Sequence, residues 1–359
     1  MAILELSELT HAYGKVPVLR GVSLAVEDEL VAILGPSGAG KTTTLRLVAG
    51  LIRPASGRIR LRGADVTAWP AQRRSVAMMF ESYALYPHLT VYENCAFALG
   101  PEGRRDGERA RERIMEIARL LEIDMLLGRY PSTLSGGQRQ RVALCRTLVR
   151  EPAIFCLDEP IAHLDAKLRH RLRGELKRLL RSRGVPTLWT TPDGLEAMAV
   201  ADRLVVLLGG GIVQQGPPEE VYAHPSTTAV ARLLGDPPIN LLPATLRQEG
   251  GRLAATGPGF VLPLGAGLAS RLEGRVAEVV IGLRPTDIGV AREGNHGLQA
   301  EVYIYEPLGK YGILTARLGP SLVKVRLPGY TPFIPGELIW LRVDTAKLYA
   351  FDPRTGLAC

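Results

Sequence analysis

Four residues between positions 32 and 43 have the types and spacing of a phosphate-binding loop. The segment reads AILGPSGAGKTT and fits the pattern G-x-x-x-x-G-K-[ST], with Gly35, Gly40, Lys41 and Thr42 at the fixed positions. Glycines let the backbone curl until several N–H groups point at one anion, such as the β-phosphate of a nucleotide. Lys41 then adds a cation towards the β- and γ-oxygens, and the Thr42 hydroxyl is placed to bind Mg²⁺. The predicted nucleotide contacts are Gly35, Pro36, Ser37, Gly38, Ala39, Gly40, Lys41, Thr42 and Thr43.

Such a loop needs a strand before it and a helix after it, and the sequence supplies both. The apolar run 31–34 predicts a buried parallel strand, and residues 43–49 predict a helix. An ordinary glycine-rich turn between a strand and a helix is the alternative interpretation. Because both flanks have the composition that the motif requires, this alternative is disfavoured.

A second predicted strand ends in two carboxylates. Residues 153–157 are apolar throughout, and Asp158 and Glu159 follow them directly. In open α/β sheets, ligands bind beyond the carboxyl ends of the parallel strands. Asp158 is therefore predicted to bind Mg²⁺, and Glu159 to act as the general base, beside the phosphate-binding loop.

Two further features have both a structural and a functional interpretation. Ser135, Gly136, Gly137 and Gln138 open a predicted helix, where free N–H groups and a hydroxyl could form a second anion site. From these residues alone, an ordinary N-capped helix start is the simpler interpretation. Tyr13 could be an aromatic residue at a strand end or a platform for an adenine ring, and its position alone favours the former.

Composition and charge exclude several classes of protein. With 359 residues, the chain is long for one domain, so two domains are expected. No apolar run approaches the ~20 residues of a bilayer span, and the N-terminal segment lacks the basic lead of a secretory signal, which predicts a cytoplasmic protein. The net charge is +8, but the Arg-rich stretches 104–119 and 169–183 are interleaved with acidic residues at helical spacing. We therefore predict no nucleic-acid partner.

The predicted secondary structure changes near residue 235. Alternating strands and helices before this point predict one α/β domain with a central parallel sheet. The segment 236–238 (DPP) is typical of a linker, and short period-two strands from Arg252 onwards predict a small antiparallel barrel. The predicted domains are 1–235, with a helical subdomain at about 86–150, and 236–359.

Together these motifs resemble the ATPase subunit of an ABC transporter over essentially the whole chain. Residues 35–42 look like the Walker A loop, 154–159 like the Walker B strand, and 134–138 like the LSGGQ signature. Tyr13 falls where that family stacks adenine. The segment 83–94, YALYPHLTVYEN, is similar to the corresponding segment of the maltose-importer branch, which contacts a coupling helix of the permease. The C-terminal segment looks like the regulatory barrel of that branch.

The resemblance implies a fold, cofactors and partners. The fold is an α/β P-loop NTPase domain of the ABC ATPase type followed by a C-terminal antiparallel β-barrel of the OB/TOBE type. ATP and Mg²⁺ lie between two nucleotide domains paired head to tail. Each half-site combines the Walker motifs of one domain with the signature of the other. Two transmembrane permease subunits and, indirectly, an extracellular solute-binding protein complete an importer at the cytoplasmic face of the cell membrane. A sugar, a polyol or a glycerol phosphate would suit this branch as the solute.

Three motifs depart from the family pattern. The Q-loop glutamine falls at Glu81, the switch histidine falls at Pro192, and residues 162–163 (AH) replace the Ser-Asn that is usual in the D-loop. Proline has no donor for the γ-phosphate, whereas the Glu81 carboxylate can join Thr42 and Asp158 as a predicted Mg²⁺ ligand. We expect this chain to bind Mg·ATP, to hydrolyse it slowly in its own half-site, and to pair with a fully equipped second ATPase.

Three other interpretations are weighed against this one. The chain could be a non-hydrolysing regulatory ABC subunit, whose barrel senses a metabolite or a partner, or a slow homodimeric sugar-importer ATPase. A soluble ABC-type ATPase that acts on DNA or ribosomes is disfavoured, because the sequence has no basic stripe and carries both the barrel and the segment 83–94.

Overall fold

The computed structural model describes residues 2–101, 107–274, 278–293 and 297–359. Within them the chain divides into two compact units, which meet in sequence between Val221 and Tyr222. The boundary that the sequence suggests, between residues 235 and 236, lies further along the chain and stays a prediction.

The first unit contains two sheets and most of the helices. Its strands are β1 (Leu4–Tyr13), β2 (Val16–Val26), β3 (Leu30–Leu34), β4 (Ser56–Leu61), β5 (Ala64–Asp65), β6 (Val76–Met79), β7 (Ile154–Asp158), β8 (Thr187–Thr191), β9 (Arg203–Leu208) and β10 (Gly211–Gly216). Its helices are α1 (Lys41–Ala49), α2 (Val91–Ala98), α3 (Gly107–Leu120), α4 (Gly136–Leu148), α5 (Ala166–Ser182) and α6 (Gly194–Val200). The helix α7 (Pro218–Ala223) carries the chain into the second unit.

The central sheet has six strands in the order β10-β9-β3-β8-β7-β6. Every pair in it is parallel except the edge pair of β9 and β10. The strands β3, β7 and β8 are buried at every position, as expected where both faces of a parallel sheet are covered. The predicted parallel sheet is thus present, and the carboxyl ends of these three neighbouring strands meet at one edge.

A second sheet, in the order β2-β1-β4-β5, is formed by two antiparallel strands at the N-terminus and the hairpin that follows α1. Its apolar residues, among them Leu4, Val22 and Ile59, pack in one core with Leu45 and Leu47 of α1. The helix that holds the phosphate-binding loop is therefore anchored between the two sheets.

The second unit is mainly antiparallel. Its strands are β11 (Asn240–Glu249), β12 (Arg252–Gly257), β13 (Phe260–Pro263), β14 (Glu278–Leu283), β15 (Ile288–Ala291), β16 (Leu298–Pro307), β17 (Tyr311–Leu318), β18 (Ser321–Pro328), β19 (Leu338–Val343) and β20 (Tyr349–Phe351), and its helices are α8 (Thr228–Leu233) and α9 (Ala266–Leu272). They form two five-stranded sheets, β13-β12-β11-β14-β20 and β15-β19-β16-β17-β18, around one apolar core. This is the expected OB-type architecture.

Two details of the second unit differ from the prediction. The helix α9 interrupts a stretch that was predicted to contain only strands, and it buries Leu268 and Leu272 in the core. The period-two pattern also fails at Ile304, which is 44% exposed although Ala300 and Val302 are buried. A register shift in the pairing with β17 lies between Val302 and Ile304, and such a bulge reverses the face that later side chains occupy.

Candidate active site

The phosphate-binding loop joins β3 to α1 at the edge of the central sheet. Ala39 N–H donates to the Pro36 carbonyl (3.1 Å), which closes the turn. Gly40 caps α1 with φ 107°, and a Cβ atom there would lie 2.5 Å from a methyl carbon of Leu19. At Gly38, φ is 82° and a Cβ would meet nothing within 4 Å, so this side of the loop is open. The first N–H groups of α1, which have no intrahelical acceptors, begin directly behind this open side.

The predicted contact residues differ in exposure along the loop. The three residues at the tip, Pro36, Ser37 and Gly38, are exposed. The residues on either side of the tip are buried, namely Gly35, Ala39, Gly40, Lys41 and Thr43, except Thr42, which is half-buried. The exposed tip and the buried base match a loop that is anchored by its helix and open to a ligand on one side.

The Lys41 ammonium group is held at the loop and not in bulk solvent. The residue is only 5% exposed, and Nζ donates to the carbonyls of Gly35 (2.9 Å) and Pro36 (3.3 Å). Nζ also lies 3.6 Å from Glu159 Oε1. A cation held by two carbonyls beside the open side of the loop is placed to bind phosphate oxygens.

The buried carboxylate of Asp158 has one satisfied oxygen and one unsatisfied oxygen. Oδ1 accepts hydrogen bonds from Thr42 Oγ1 (3.2 Å) and Thr190 Oγ1 (2.7 Å). Oδ2 is buried, and within the described residues it has no hydrogen-bond partner. An unpaired, buried carboxylate oxygen is costly unless a cation or water meets it, so this atom fits a bound metal ion.

The surroundings of Asp158 suit Mg²⁺ held partly by a nucleotide. Glu81 and Asp158 line the same cavity, which has a volume of about 250 Å³. In the part of the chain that the structure describes, no group of three or more His, Cys, Asp or Glu side chains has the arrangement of a complete metal site. Mg²⁺ in phosphoryl-transfer sites is usually bound by one or two carboxylates together with substrate phosphates and waters. Thr42, Asp158 and Glu81 would hold the ion in this way.

Glu159 directly follows β7 and has an unusual backbone. Its φ is 47°, in the left-handed region, and its N–H donates to the Thr190 carbonyl (3.1 Å) while its carbonyl accepts from Gln140 Nε2 (3.0 Å). Burial raises the pKa of the Glu159 carboxyl, the Lys41 cation opposes this shift, and the Glu81 and Asp158 carboxylates reinforce it. A carboxylate with a raised pKa in this position suits a general base.

Pro192, where the resemblance places the switch histidine, is exposed and follows the last residue of β8. The side chain of the next residue, Asp193, caps the start of α6: its Oδ1 accepts hydrogen bonds from the N–H groups of Leu195 (2.8 Å) and Glu196 (3.0 Å). Its own N–H donates to Thr191 Oγ1 (3.1 Å). Asp193 therefore does not replace the donor that is missing at Pro192.

The loop after β6 is held by contacts that the sequence did not reveal. Tyr83 and Ala84 have φ values of 63° and 46°, which are strained for residues other than glycine. Arg146 of α4 donates to the Ala84 carbonyl (2.7 Å) and the Tyr83 carbonyl (2.9 Å). The Tyr83 hydroxyl lies 3.1 Å from Nδ1 of His163, the residue that departs from the D-loop pattern. These contacts link the Q-loop, the D-loop and α4.

The substitution Arg146→Lys is expected to destabilise the first unit by about 1–3 kcal/mol, because a lysine cannot satisfy both carbonyls of the strained turn. Urea unfolding of the two proteins measures this difference. The matched control is Arg178→Lys at an exposed position of α5, for which we expect a change within about 0.5 kcal/mol. Equal stabilities of the two variants would show that the Arg146 contacts do not hold the turn.

The signature segment forms an N-capped helix start. Ser135 Oγ accepts from Gln138 N–H (3.3 Å), and Gln138 Oε1 accepts from Ser135 N–H (2.8 Å), which is a reciprocal capping box. Ser135 and Gly136 are exposed at this end of α4, and Gly137 and Gln138 are half-buried. The helix begins at Gly136, directly after its N-cap Ser135. The role of these four residues in binding a nucleotide stays a prediction.

Tyr13 lies at the end of β1, opposite Val16 of β2. Its ring is 45% exposed and meets the His11 ring edge to face, with the centroids 4.8 Å apart. The strand-end interpretation is therefore correct as a description of the backbone. The exposed ring leaves its role as an adenine platform a prediction.

The aromatic segment at 83–94 is ordered by a buried asparagine. Asn94 is 0% exposed; its amide donates to the carbonyls of Tyr86 (3.1 Å) and Leu89 (3.0 Å) and accepts from Tyr86 N–H (2.9 Å). The Tyr86 ring packs on Phe97 with the centroids 4.9 Å apart, and the two residues are 37% and 47% exposed. The segment therefore presents a preorganised aromatic surface.

The site and the fold define the class of protein. A phosphate-binding loop, two carboxylates at the carboxyl end of β7, and a capped LSGGQ helix start on one P-loop α/β unit are the features of an ABC-type ATPase.

Comparison with known proteins gives the same family. Residues 19–162 match the ABC transporter family, and residues 235–288 match the MalK OB fold domain. The chain is 42% identical to the sulfoquinovosyl glycerol transport ATP-binding protein SmoE of Agrobacterium fabrum, over 99% of each chain. It is 41% identical to the sn-glycerol-3-phosphate import ATP-binding protein UgpC of Salmonella typhi, again over 99% of each. The chain belongs to the ABC transporter ATP-binding subunits of the sugar-importer type.

Solved structures agree with this assignment. The dimeric ATP-binding cassette MJ0796, in a post-hydrolysis state bound to ADP and Pi, is similar with a TM-score of 0.54 and 27% identity. The similarity covers 60% of this chain and 98% of that one. The predicted family and the predicted fold class are confirmed, and the family is one that uses ATP. Among the described residues, no helix has both the length and the apolar character to cross a membrane.

Proposed function

We propose that this chain is the ATP-binding subunit of an importer for a small hydroxylated solute, and that its own half-site hydrolyses ATP slowly. Two of its relatives carry names that refer to glycerol derivatives, which supports a sugar, a polyol or a glycerol-linked compound as the solute. The chain would act at the cytoplasmic face of the membrane with two permease subunits and, indirectly, an extracellular solute-binding protein. The exposed aromatic surface around Tyr86 and Phe97 would meet the permease.

In this proposal, the loop N–H groups and Lys41 bind the phosphates of ATP. Thr42, Asp158 and Glu81 hold Mg²⁺, which when bound neutralises charge on the phosphate oxygens. Glu159 accepts the proton of the attacking water, and its raised pKa suits this task. The exposed ring of Tyr13 stacks on the adenine.

The observation that carries the proposal of slow hydrolysis is Pro192 at the end of β8. Two other proposed site residues lie close together, with Lys41 Nζ 3.6 Å from Glu159 Oε1, but proline offers neither a side-chain donor nor an N–H. Loss of one preorganised donor from a site that stabilises charge costs roughly 10²–10³ in rate. Asp193 is engaged as a helix cap and supplies no substitute.

The second part of the proposal is an asymmetric pair. The segment 135–138 is intact and capped at the exposed start of α4, so this chain can complete the half-site of a partner. A different ATPase chain that retains the switch histidine would then supply the working site. Mg·ATP in the half-site of this chain would act mainly as a structural ligand of the pair.

The test is steady-state ATP turnover of the purified chain, alone and mixed with a candidate second ATPase. We expect low turnover of the chain alone and a clear increase in the mixture. The increase should persist when this chain carries Glu159→Gln, because the working base belongs to the partner. Brisk turnover by the isolated chain would contradict the proposal. A mixture that is no faster than the sum of its parts would favour a slow homodimer.

A further inference from the structure

A buried threonine lies beside the two carboxylates. Strand register pairs Thr190 of β8 directly with Asp158 of β7. Thr190 is 0% exposed, and its hydroxyl donates to Asp158 Oδ1 over 2.7 Å, the shortest contact described for that carboxylate. The second donor to the same oxygen, Thr42 Oγ1, is 3.2 Å away. A buried side chain on the neighbouring strand thus fixes one oxygen of Asp158.

The same residue also supports Glu159. Glu159 N–H donates both to the Thr190 carbonyl (3.1 Å) and to the Thr190 hydroxyl (3.3 Å). Glu159 has φ 47°, a conformation that persists only where neighbouring groups hold it. One hydroxyl therefore contacts the carboxylate predicted to bind Mg²⁺ and the backbone of the predicted general base.

An ordinary buried threonine would satisfy its hydroxyl on nearby backbone. Thr187, on the same strand and 1% exposed, does so, because its Oγ1 donates to the Val185 carbonyl (3.3 Å). The Thr190 hydroxyl also has a backbone carbonyl within reach, that of Leu157 at 3.5 Å, but its short contact of 2.7 Å is to the Asp158 carboxylate, 32 positions away in sequence. With Oδ1 held by hydroxyl groups, Oδ2 is the oxygen left without a partner in the described residues.

We propose that Thr190 is a positioning residue for the metal. Its hydroxyl fixes the rotation of the Asp158 carboxylate so that Oδ2 is presented to Mg²⁺ of the bound nucleotide. This inference rests on the proposed binding of Mg·ATP and does not depend on the rate of hydrolysis. Loss of such a supporting contact typically lowers metal affinity by about 10–100-fold.

The experiment measures ATP binding as a function of Mg²⁺ concentration, with a fluorescent ATP analogue and the full chain. Thr190→Val keeps the shape and removes the hydroxyl, and we expect the Mg²⁺ concentration for half-maximal binding to rise about tenfold or more. Thr190→Ser retains the hydroxyl and should restore the wild-type value. Thr187→Val is the matched control on the same strand and should behave like the wild type. In EDTA, all four proteins should bind the analogue alike.

The outcomes separate this inference from the proposed function. A Thr190→Val protein with the wild-type Mg²⁺ dependence would show that Thr190 is only a core residue and would overturn the inference. A wild-type protein whose binding does not depend on Mg²⁺ would instead contradict the proposed function. Thermal unfolding checks that each variant is folded. If Thr190→Val does not fold, Thr190→Cys takes its place and is judged by the same shift.

Discussion

The double substitution Pro192→His with Glu81→Gln is expected to raise the ATP turnover of the isolated chain by about 10²–10³. The reason is that Pro192 stands at the end of β8, at the same edge of the sheet as Asp158, where an imidazole would donate to the γ-phosphate. Glu81 shares the cavity of Asp158, so an amide there would remove a negative charge and restore an N–H donor. Steady-state phosphate release at saturating Mg·ATP measures the change.

The control for this repair is Leu195→His combined with Glu81→Gln. Leu195 is 44% exposed in the first turn of α6, three positions after Pro192. The substitution Leu195→His therefore adds the same imidazole ring, but not at the end of β8. An equal gain in both proteins would mean that the position of the ring is irrelevant. No gain in either would place the defect elsewhere, with the replaced D-loop residue His163 as the next candidate.

In the protein that carries Pro192→His and Glu81→Gln, the further substitution Glu159→Gln is expected to lower turnover by about 10²–10⁴, the range that general bases contribute.

The turnover of the repaired protein that retains Glu159 is expected to fall at low pH. Burial raises the pKa of Glu159, so its protonated form persists to higher pH than for an ordinary glutamate. A protonated carboxyl cannot accept a proton, and turnover should therefore fall as the pH drops through this raised pKa, above the ~4.3 of a free side chain.

A rate profile over pH 4–8, with Glu112→Gln as the control, checks this expectation. Glu112 is an exposed residue of α3, and its change should leave both the rate and the profile unaltered. If Glu159→Gln retained the turnover of the repaired protein, Glu159 would not be the base. An acid limb at the ordinary glutamate pKa would contradict the role of burial.

The parts of the site that the sequence predicted are those set by contiguous residues. Gly35 to Thr42 carry their own loop geometry, because φ values such as the 107° of Gly40 demand glycine at fixed spacing. Asp158 and Glu159 were found because an apolar strand brings whatever follows it to the edge of a parallel sheet. The residue types and spacing of the loop, and the rule that ligands bind at the carboxyl ends of parallel strands, were sufficient to predict the phosphate-binding loop and the two carboxylates.

The parts that the sequence did not predict depend on pairing between distant segments. The bond from Thr190 to Asp158 requires the register of β8 against β7, which no local pattern encodes. Arg146 holds carbonyls 62 and 63 positions away, and nothing marks it among the other arginines of the chain. In the second unit, the apolar and polar residues of β16 alternate in sequence as in one regular strand, but a bulge after Val302 interrupts the strand.

The contacts of Arg146 join the turn at Tyr83 and Ala84 to α4. One face of that turn continues into the aromatic surface around Tyr86, and the far end of α4 is the helix start capped by Ser135. If the proposed permease contacts these aromatic rings, a displacement there would reach α4 through the Arg146 contacts and, along the helix, the end proposed to face a second ATPase. In the proposed importer, the guanidinium group of Arg146 would therefore be a point where transport could be uncoupled from the nucleotide.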